Sequence, residues 1–483
     1  MKKILTALTA LACLAALWGC GRTVTVTEID IVPEPVFMVK KEGTYTLERT
    51  VAVATQGLGQ NSPTAKYIMN SLRHARMRPS LVSRSEESDI ELIINDTVNP
   101  ELGDEGYLLE VRQNGIRLSA NTETGLFYAY QTFIQMMPPD VEEHRYRSFV
   151  LPECTILDYP RFAWRGAHLE ADRQRFPVKF IKKYLDLMAT YKLNHFLLQL
   201  PDSSLFIPDS LADSTLDIDL SDHFYSAEDL ADISDYAASL AITVQLDDST
   251  IVWDDTTLLP YSSLEQGRLV VARQSLASAH RLARLGDRVV ACPDEYCRLD
   301  RYQADPRYQP KASDGSTTLA HTYLFDPAPQ GTNKYIEQNI LGGQLNLWTS
   351  HISTSSDAEY MLLPRLLAMS ENLWTPRANK NWSHFRKKVE LQKMRLDSRG
   401  YTYCEGSFTP LFRATRVDDH TTNIAIETEV PSTYIFYTTD GSTPSRNSQV
   451  YLGPINLHRG THIKILPVYK DQERDSIYEF IIK

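Results

Sequence analysis

The stretch that decides the fold runs from Phe162 to Leu200. It opens with the apolar segment Phe162-Ala-Trp-Arg-Gly-Ala-His-Leu169, continues with a helical pattern over 178–191, and closes with His195-Phe-Leu-Leu-Gln-Leu200. A short apolar run, an amphipathic helix and a second short apolar run form one β–α–β unit. Such a unit places its two strands parallel in the same sheet.

The same alternation continues further along the chain. A helical pattern over 227–240 precedes a short strand pattern at Ile242-Thr-Val-Gln-Leu246, and similar pairs follow as far as Arg399. Strands that alternate with helices over this length predict a (β/α)8-type barrel, which we place at residues 160–400.

Two smaller domains flank the predicted barrel, which makes the chain a multidomain α/β protein. Residues 25–156 combine alternating strand patterns, such as 106–112 and 115–120, with a helical pattern over 123–137, and predict an α+β domain. Residues 405–483 are rich in strand patterns and contain an Asp440-Gly441 turn, which predicts a C-terminal β-sandwich.

The first twenty residues resemble a secretion leader. Lys2 and Lys3 precede an apolar run over 4–17, and Gly19-Cys20 follows. This order is typical of a bacterial lipoprotein signal in which Cys20 becomes the lipidated first residue. A plain secretory signal with an incidental cysteine is the alternative. The lipoprotein interpretation predicts a lipid-anchored protein of the cell envelope, on the periplasmic side or the outer-membrane surface.

Bulk composition narrows the classes of partner. The net charge of −11 argues against nucleic acid and against an anionic membrane surface as partners. Cysteines and histidines show none of the spacings of a metal site, so neither a metal nor a cofactor is expected. Cys292 and Cys297 could form a disulfide or remain buried thiols.

Several motifs together resemble the glycoside hydrolase family 20 β-N-acetylhexosaminidases. They are Trp164-Arg165-Gly166 at the start of the barrel, Leu341-Gly-Gly-Gln-Leu-Asn-Leu-Trp-Thr349 near its end, and Tyr437-Thr-Thr-Asp-Gly-Ser-Thr-Pro444, similar to a chitobiase-type C-terminal domain. The resemblance implies hydrolysis of terminal N-acetylglucosamine or N-acetylgalactosamine from glycans. It also implies a retaining mechanism in which the substrate's own acetamide attacks, assisted by an adjacent Asp-Glu pair after strand four.

That acidic pair has no place in this chain. The segment 242–248 resembles strand three of the family and the segment 251–255 resembles strand five, yet only four residues separate Leu246 from Ile251. Parallel neighbours need a crossover of a dozen or more residues. We therefore predict a barrel that lacks strand four together with the Asp-Glu pair. The adjacent acids Asp294 and Glu295 are placed after strand seven, as an exposed loop pair.

The resemblance also suggests which residues bind the sugar. Arg165 matches a clamp for sugar hydroxyls, with a structural ion pair as the alternative. Trp253 and Trp348 match aromatic walls of the sugar pocket, with core packing as the alternative. Asp300 matches a carboxylate that reaches a sugar hydroxyl, although Arg298 beside it could neutralise it.

The catalytic acid is unknown at this stage. Asp248 and Asp254 are the candidate replacement acids near the strand ends. Two functions remain open. The chain is either a hexosaminidase of reduced or lost activity, or a non-catalytic pseudo-hydrolase that binds a glycan or a partner protein.

Overall fold

The computed structural model of the chain describes residues 22–59, 61–83, 85–171, 176–200, 225–246, 252–254, 269–431, 433–469, 472–473 and 477–482. Two predicted functional residues, Cys20 and Asp248, lie outside these ranges, and their roles stay predictions from the sequence.

The amino-terminal domain is an eight-stranded mixed sheet covered by helices. Its strands are β1 (Arg22–Thr25), β2 (Phe37–Glu48), β3 (Thr50–Gln56), β4 (Arg78–Val82), β5 (Ile90–Ile94), β6 (Tyr107–Arg112), β7 (Gly115–Ala120) and β8 (Tyr146–Asp158). The order is β1-β8-β6-β7-β5-β3-β4, with β2 also paired to β8. Its helices are α1 (Pro63–His74) and α2 (Glu123–Gln135), and a 3-10 turn covers Ser85–Glu87.

Helix α2 joins this domain to the barrel. Residues 125–135 of α2 are all buried, because one side packs on the sheet and the other faces the barrel helices. The side-chain amide of Gln135 crosses this boundary and donates a hydrogen bond to the carbonyl of Thr190, with the two atoms 3.2 Å apart.

The central domain is built on a parallel sheet of seven strands within the described residues. These strands are β9 (Trp164–Glu170), β10 (His195–Gln199), β11 (Thr243–Leu246), β12 (Val252–Trp253), β13 (Leu269–Ala272), β14 (Arg288–Ala291) and β17 (Ile340–Leu347). Their order is β11-β10-β9-β17-β14-β13-β12, which is the curled arrangement of a TIM-like barrel. The short strands β15 (Arg301–Tyr302) and β16 (Ser313–Ser316) form a separate ribbon.

Helices cover the outside of the curled sheet. They are α3 (Val178–Thr190), α4 (Ala227–Ser239), α5 (Leu276–Arg284), α6 (Asp294–Cys297), α7 (Leu319–Tyr323), α8 (Lys334–Asn339), α9 (Ser355–Leu362), α10 (Arg365–Trp374) and α11 (Trp382–Ser398), with 3-10 turns at Pro306–Tyr308 and Arg377–Asn379. Because helices lie outside and side chains fill the interior, every residue of β9 is buried.

Among the described strands, β11 and β12 are not paired with each other. These two strands are the edges of the parallel sheet, and only residues 247–251 connect them along the chain. All other strands of this sheet that follow one another along the chain are paired. In addition, the last strand, β17, pairs with the first, β9. Five residues are too few for a crossover helix and a further parallel strand. The TIM-like fold is confirmed, and the absence of strand four stays a prediction from the length of this connection.

The carboxyl-terminal domain consists of two antiparallel sheets. Its strands are β18 (Leu411–Arg416), β19 (Thr421–Glu427), β20 (Tyr434–Thr438), β21 (Gln449–Val450), β22 (Ile455–His458), β23 (His462–Tyr469), β24 (Gln472–Glu473) and β25 (Tyr478–Ile481). Ile424 and Ile426 of one sheet share a core with Ile463 and Ile465 of the other, which makes the domain a sandwich. The predicted turn at Asp440-Gly441 is present, and Gly441 takes the positive φ of 86° that such a turn requires.

Two further observations bear on earlier expectations. Cys292 and Cys297 are both buried free thiols, which decides between the two alternatives for this pair. Among the described residues, no helix combines the length and apolar character needed to cross a bilayer.

Candidate functional site at the mouth of the barrel

Three aromatic side chains gather at the carboxyl ends of the barrel strands. The ring centroid of His168 on β9 lies 4.7 Å from that of Trp348 and 5.8 Å from that of Trp253, and the two indoles are themselves 5.8 Å apart. Trp253 ends β12 and Trp348 directly follows β17, so residues distant in sequence meet here. The predicted pair of tryptophans is therefore brought together as one aromatic wall.

Two polar atoms of this wall have no hydrogen-bond partner among the residues that the structure describes. The indole N–H of Trp348 and Nδ1 of His168 are both buried without a hydrogen bond within the described structure. Nε2 of His168 lies 3.0 Å from the side-chain oxygen of Gln199 at the end of β10. Burial lowers the pKa of His168 to about 4, so the imidazole is neutral at physiological pH.

A rim of alternating charges borders the wall. The guanidinium carbon of Arg273 lies 5.0 Å from the ring centroid of Trp348, and its Nη2 is 3.4 Å from a carboxylate oxygen of Asp294. Arg298 lies 3.8 Å from the same Asp294 oxygen and forms two hydrogen bonds, of 2.7 and 2.9 Å, with Asp300. Three of the predicted substrate-binding residues, Trp253, Trp348 and Asp300, thus belong to one connected cluster.

Asp300 is held in its ionised form. Burial opposes ionisation of this side chain, but hydrogen bonds from Arg298 and from Ser313, the latter of 2.5 Å, outweigh it and lower the pKa of Asp300. The neighbour Arg298 therefore neutralises Asp300, which is the alternative that the sequence left open.

The other carboxylates of the mouth are also engaged. Glu170, the last residue of β9, accepts hydrogen bonds of 2.6 and 3.0 Å from the amide and hydroxyl of Thr349. Asp254, a candidate replacement acid, accepts a 2.8 Å bond from the amide of Arg273 and a longer one from the amide of Gln274. Asp254 thus links the carboxyl ends of the neighbouring strands β12 and β13 by hydrogen bonds.

Arg165, the predicted sugar clamp, lies at the opposite end of the barrel. It is the second residue of β9, is fully buried, and directs its guanidinium to Glu105 of the amino-terminal domain. Nε of Arg165 also donates to the carbonyl of Lys192, at 2.7 Å. Arg165 therefore forms the ion pair that the sequence left open as its alternative, and its role as a sugar clamp stays a prediction.

The adjacent acids Asp294 and Glu295 point in different directions. The side chain of Asp294 is 22% exposed and lies in the charged rim. The side chain of Glu295 is 64% exposed and lies 3.9 Å from His321, away from the aromatic wall. The expected exposed pair therefore holds for Glu295 only.

Four residues of the mouth were not singled out as binding residues from the sequence: His168, Glu170, Gln199 and Arg273. Each lies within the last three residues of a barrel strand or directly after one. Since active sites of such barrels form at the carboxyl ends of strands, that position was the available signal.

Comparison with known proteins identifies the family. The model described as "Glycosyl hydrolase family 20, domain 2" matches residues 28–159, and "Glycosyl hydrolase family 20, catalytic domain" matches 162–247 and 244–377. The chain belongs to glycosyl hydrolase family 20. A further model, "Fn3 associated", matches residues 424–481 of this family 20 chain.

Relatives resemble this chain in sequence, and solved structures share its fold. A β-hexosaminidase of Porphyromonas gingivalis is 23% identical and aligns with 83% of this chain and 68% of its own length. One from Vibrio furnissii is 25% identical over 45% of this chain but only 36% of its own length. The structure of the Streptomyces plicatus N-acetyl-β-hexosaminidase superposes with a TM-score of 0.68 at 20% identity, covering 79% of this chain and 97% of that one.

The family 20 mouth is chemically suited to a sugar ring. Aromatic faces pack against the apolar face of a pyranose, while guanidinium forks and amides donate to its hydroxyls. A structure of the Vibrio harveyi exo-β-N-acetylglucosaminidase, similar to this chain with a TM-score of 0.65 at 19% identity over 78% of each chain, holds N-acetylglucosamine.

Proposed function

We propose that this family 20 protein recognises terminal N-acetylhexosamine residues of glycans at its barrel mouth, and that its hydrolytic activity is reduced or lost. The observation that carries the proposal is the five-residue connection between β11 and β12, residues 247–251. It leaves no room for the strand after which the resemblance places the acid and its acetamide-orienting neighbour. The match to the catalytic-domain model is likewise divided into two parts, which meet at residues 244–247.

The length of the alignment with a relative, compared with the length of this chain, also supports a missing segment. The match to the Porphyromonas gingivalis enzyme extends over 535 positions, whereas 83% of the 483 residues of this chain is about 400. That relative therefore carries more than a hundred positions without a counterpart in the aligned part of this chain.

The described acids of the mouth offer no ready substitute for a proton donor. A general acid must hold its proton near the working pH. Asp300 has a lowered pKa and is ionised there. Glu170 and Asp254 already accept hydrogen bonds from the amides of Thr349 and Arg273. Asp294 lies between the guanidiniums of Arg273 and Arg298.

The aromatic wall supports the binding part of the proposal. Trp253 and Trp348 remain half-exposed, with buried polar atoms of Trp348 and His168 unsatisfied by the described protein. Buried polar atoms in proteins are normally satisfied. A hydroxyl or acetamide group of a bound sugar would satisfy them.

The test compares turnover with binding. Hydrolysis of 4-nitrophenyl N-acetyl-β-glucosaminide and of the galactosaminide is measured beside the Streptomyces plicatus enzyme, and calorimetry with N-acetylglucosamine measures binding. Because general acid catalysis contributes roughly 10²–10⁴-fold, we expect turnover at least about 100-fold below that enzyme together with saturable binding. Turnover within tenfold contradicts the loss of activity, and absence of binding contradicts recognition.

If weak turnover is found, two substitutions locate it. Asp254→Asn and Asp248→Asn test the candidate replacement acids, and Asp357→Asn, which removes a capping carboxylate of α9, is the matched control. Loss of the residual rate in only one of the first two variants would identify the acid.

The proposal includes a lipid anchor at Cys20 in the cell envelope, which rests on the leader sequence. Labelled fatty acid should be incorporated into the native chain and not into Cys20→Ala. An unlabelled native chain recovered in the soluble fraction would contradict the anchor.

A further inference from the structure

Six arginines lie along one end of the amino-terminal sheet, and we call this set the arginine edge. They are Arg22, Arg49, Arg76, Arg78, Arg145 and Arg147. Arg49 is half-buried and the other five are exposed.

The topology of the sheet brings them together. Strands β1, β3, β4 and β8 all run parallel, so they begin at the same edge. Arg22 is the first residue of β1 and pairs in register with Tyr146, the first residue of β8. Arg78 is the first residue of β4 and pairs with Thr50, the first residue of β3.

Hydrogen bonds confirm that the arginines are neighbours. The amide of Arg49 donates to the carbonyl of Arg147 at 3.1 Å, and the amide of Arg78 donates to the carbonyl of Arg49 at 2.8 Å. Nε of Arg49 donates to the carbonyl of Arg76 at 2.8 Å. Burial together with the like charges of Arg145 and Arg78 lowers the pKa of Arg49.

None of the six arginines forms an ion pair with a carboxylate within the ranges that the structure describes. Of the nearby acids, Glu142 pairs with Arg399, and Asp140 accepts from Tyr146 and lies beside His144.

Glu48 and Glu143 are exposed acids close in sequence to these arginines, and Asp140 has no lysine or arginine partner among the described residues. Six positive charges therefore face three carboxylates that, within this part of the chain, are not paired with another cation. This local excess stands out in a chain whose net charge is −11.

The edge begins next to the predicted anchor. Only Gly21 separates Cys20 from Arg22, the first residue of β1. A lipid on Cys20 would therefore hold this end of the sheet close to the headgroups of the same membrane.

We propose that the arginine edge docks on the phosphate groups of anionic phospholipids in the membrane that holds the Cys20 anchor. This inference rests on the anchor in the proposed function. A guanidinium presents two parallel N–H donors that match a phosphate, and each basic residue near an anionic surface strengthens binding about fivefold. The negative net charge of the whole chain does not oppose this docking, because charges beyond the Debye length of about 8–10 Å are screened.

Docking through this edge also sets the orientation of the barrel. Glu105 of the amino-terminal domain binds Arg165 and Asn194, which lie at the amino ends of β9 and β10. The arginine edge therefore belongs to the domain that contacts the amino ends of the barrel strands, whereas the mouth lies at their carboxyl ends.

The test measures vesicle binding without the lipid. A chain that begins at Gly21 keeps every described element, since β1 starts at Arg22. Co-sedimentation is measured with vesicles of phosphatidylcholine containing phosphatidylglycerol, and with phosphatidylcholine alone. The variant R22Q/R145Q/R147Q is compared with R284Q/R288Q/R459Q, which removes three exposed arginines from other parts of the surface.

We expect salt-sensitive binding to the anionic vesicles only, weakened on the order of 100-fold in the first variant and unchanged in the second. No binding, an equal loss in both variants, or equally tight binding to double-stranded DNA at the same phosphate concentration would overturn the inference. Circular dichroism of both variants excludes unfolding as the cause. Failure of acylation at Cys20 with intact vesicle binding would reject the anchor alone, and acylation without vesicle binding would reject the arginine edge alone.

Discussion

The guanidinium of Arg165 and the carboxylate of Glu105 form two parallel hydrogen bonds, of 2.7 and 2.9 Å, across the boundary between the first two domains. Arg165 is fully buried, while the side chain of Glu105 is 21% exposed. The pair fixes the amino end of β9 against the neighbouring domain and leaves the mouth to other residues.

Replacing Arg165 should therefore affect stability and leave sugar recognition unchanged. We expect Arg165→Ala to lower the free energy of unfolding by about 3 kcal/mol, because Glu105 loses its partner in a largely buried site. Urea denaturation measures this change. The matched control is Arg416→Ala, whose exposed pair with Asp419 contributes about 0–1 kcal/mol. If Arg165→Ala instead abolished N-acetylglucosamine binding by a folded protein, the clamp role would be restored.

The aromatic wall should dominate the affinity for the sugar. We expect Trp348→Ala to weaken N-acetylglucosamine binding by about 2 kcal/mol, or roughly 30-fold, as for a central aromatic contact. Calorimetry measures the binding constant. Trp382→Ala is the matched control, since that indole packs on Tyr323 and Phe385 outside the mouth. Equal losses in both variants would argue against a sugar at the wall.

The buried His168 and the half-buried His195 should make the protein sensitive to mild acid. Burial lowers the pKa values of His168 and His195 to about 4 each, whereas an unfolded histidine titrates near 6.5. Between these values the unfolded chain binds more protons, so the free energy of unfolding falls as the pH drops from about 6.5 to about 4.

His168→Gln should remove the part of this pH dependence that comes from His168. Between about pH 6.5 and about pH 4 the free energy of unfolding should fall by about 3 kcal/mol less in the variant than in the wild type. A histidine pKa lowered from about 6.5 to about 4 corresponds to a free energy of this size. Chemical denaturation at a series of pH values gives the two slopes. Parallel slopes would show that His168 is not buried neutral.

The Arg298–Asp300 ion pair should make the free energy of unfolding depend on pH in a lower range than the histidines do, because here a carboxylate titrates. The folded-state pKa of Asp300 is lowered, so its stabilisation is complete above the unfolded value near 3.9 and is lost as the pH falls through the folded value. We expect Asp300→Asn to be clearly less stable than the wild type at pH 6, with the difference shrinking below about pH 4. A difference that stays constant down to pH 2 would contradict this assignment.

Much of the architecture could be predicted from the chain alone. Periodic apolar runs separated by helical patterns indicated the barrel, because a β–α–β unit restricts its strands to parallel neighbours. The short connection 247–251 predicts that strand four is missing, since the length of a connection limits what it can cross. Trp253 and Trp348 could be placed at the mouth because they end or follow strands.

Contacts between side chains that are distant in the sequence could not be predicted and required the tertiary structure. Arg165 faces Glu105, sixty positions away in the sequence, and no local pattern reports that the two side chains meet. The same holds for Arg273 over Trp348, and for the arginine edge, where strands from separate parts of the chain begin together. Periodicity and connection length are local properties, so the sequence by itself determined the strands and the parallel barrel-type sheet. Which charges meet depends on distances through space, and only the folded structure sets those distances.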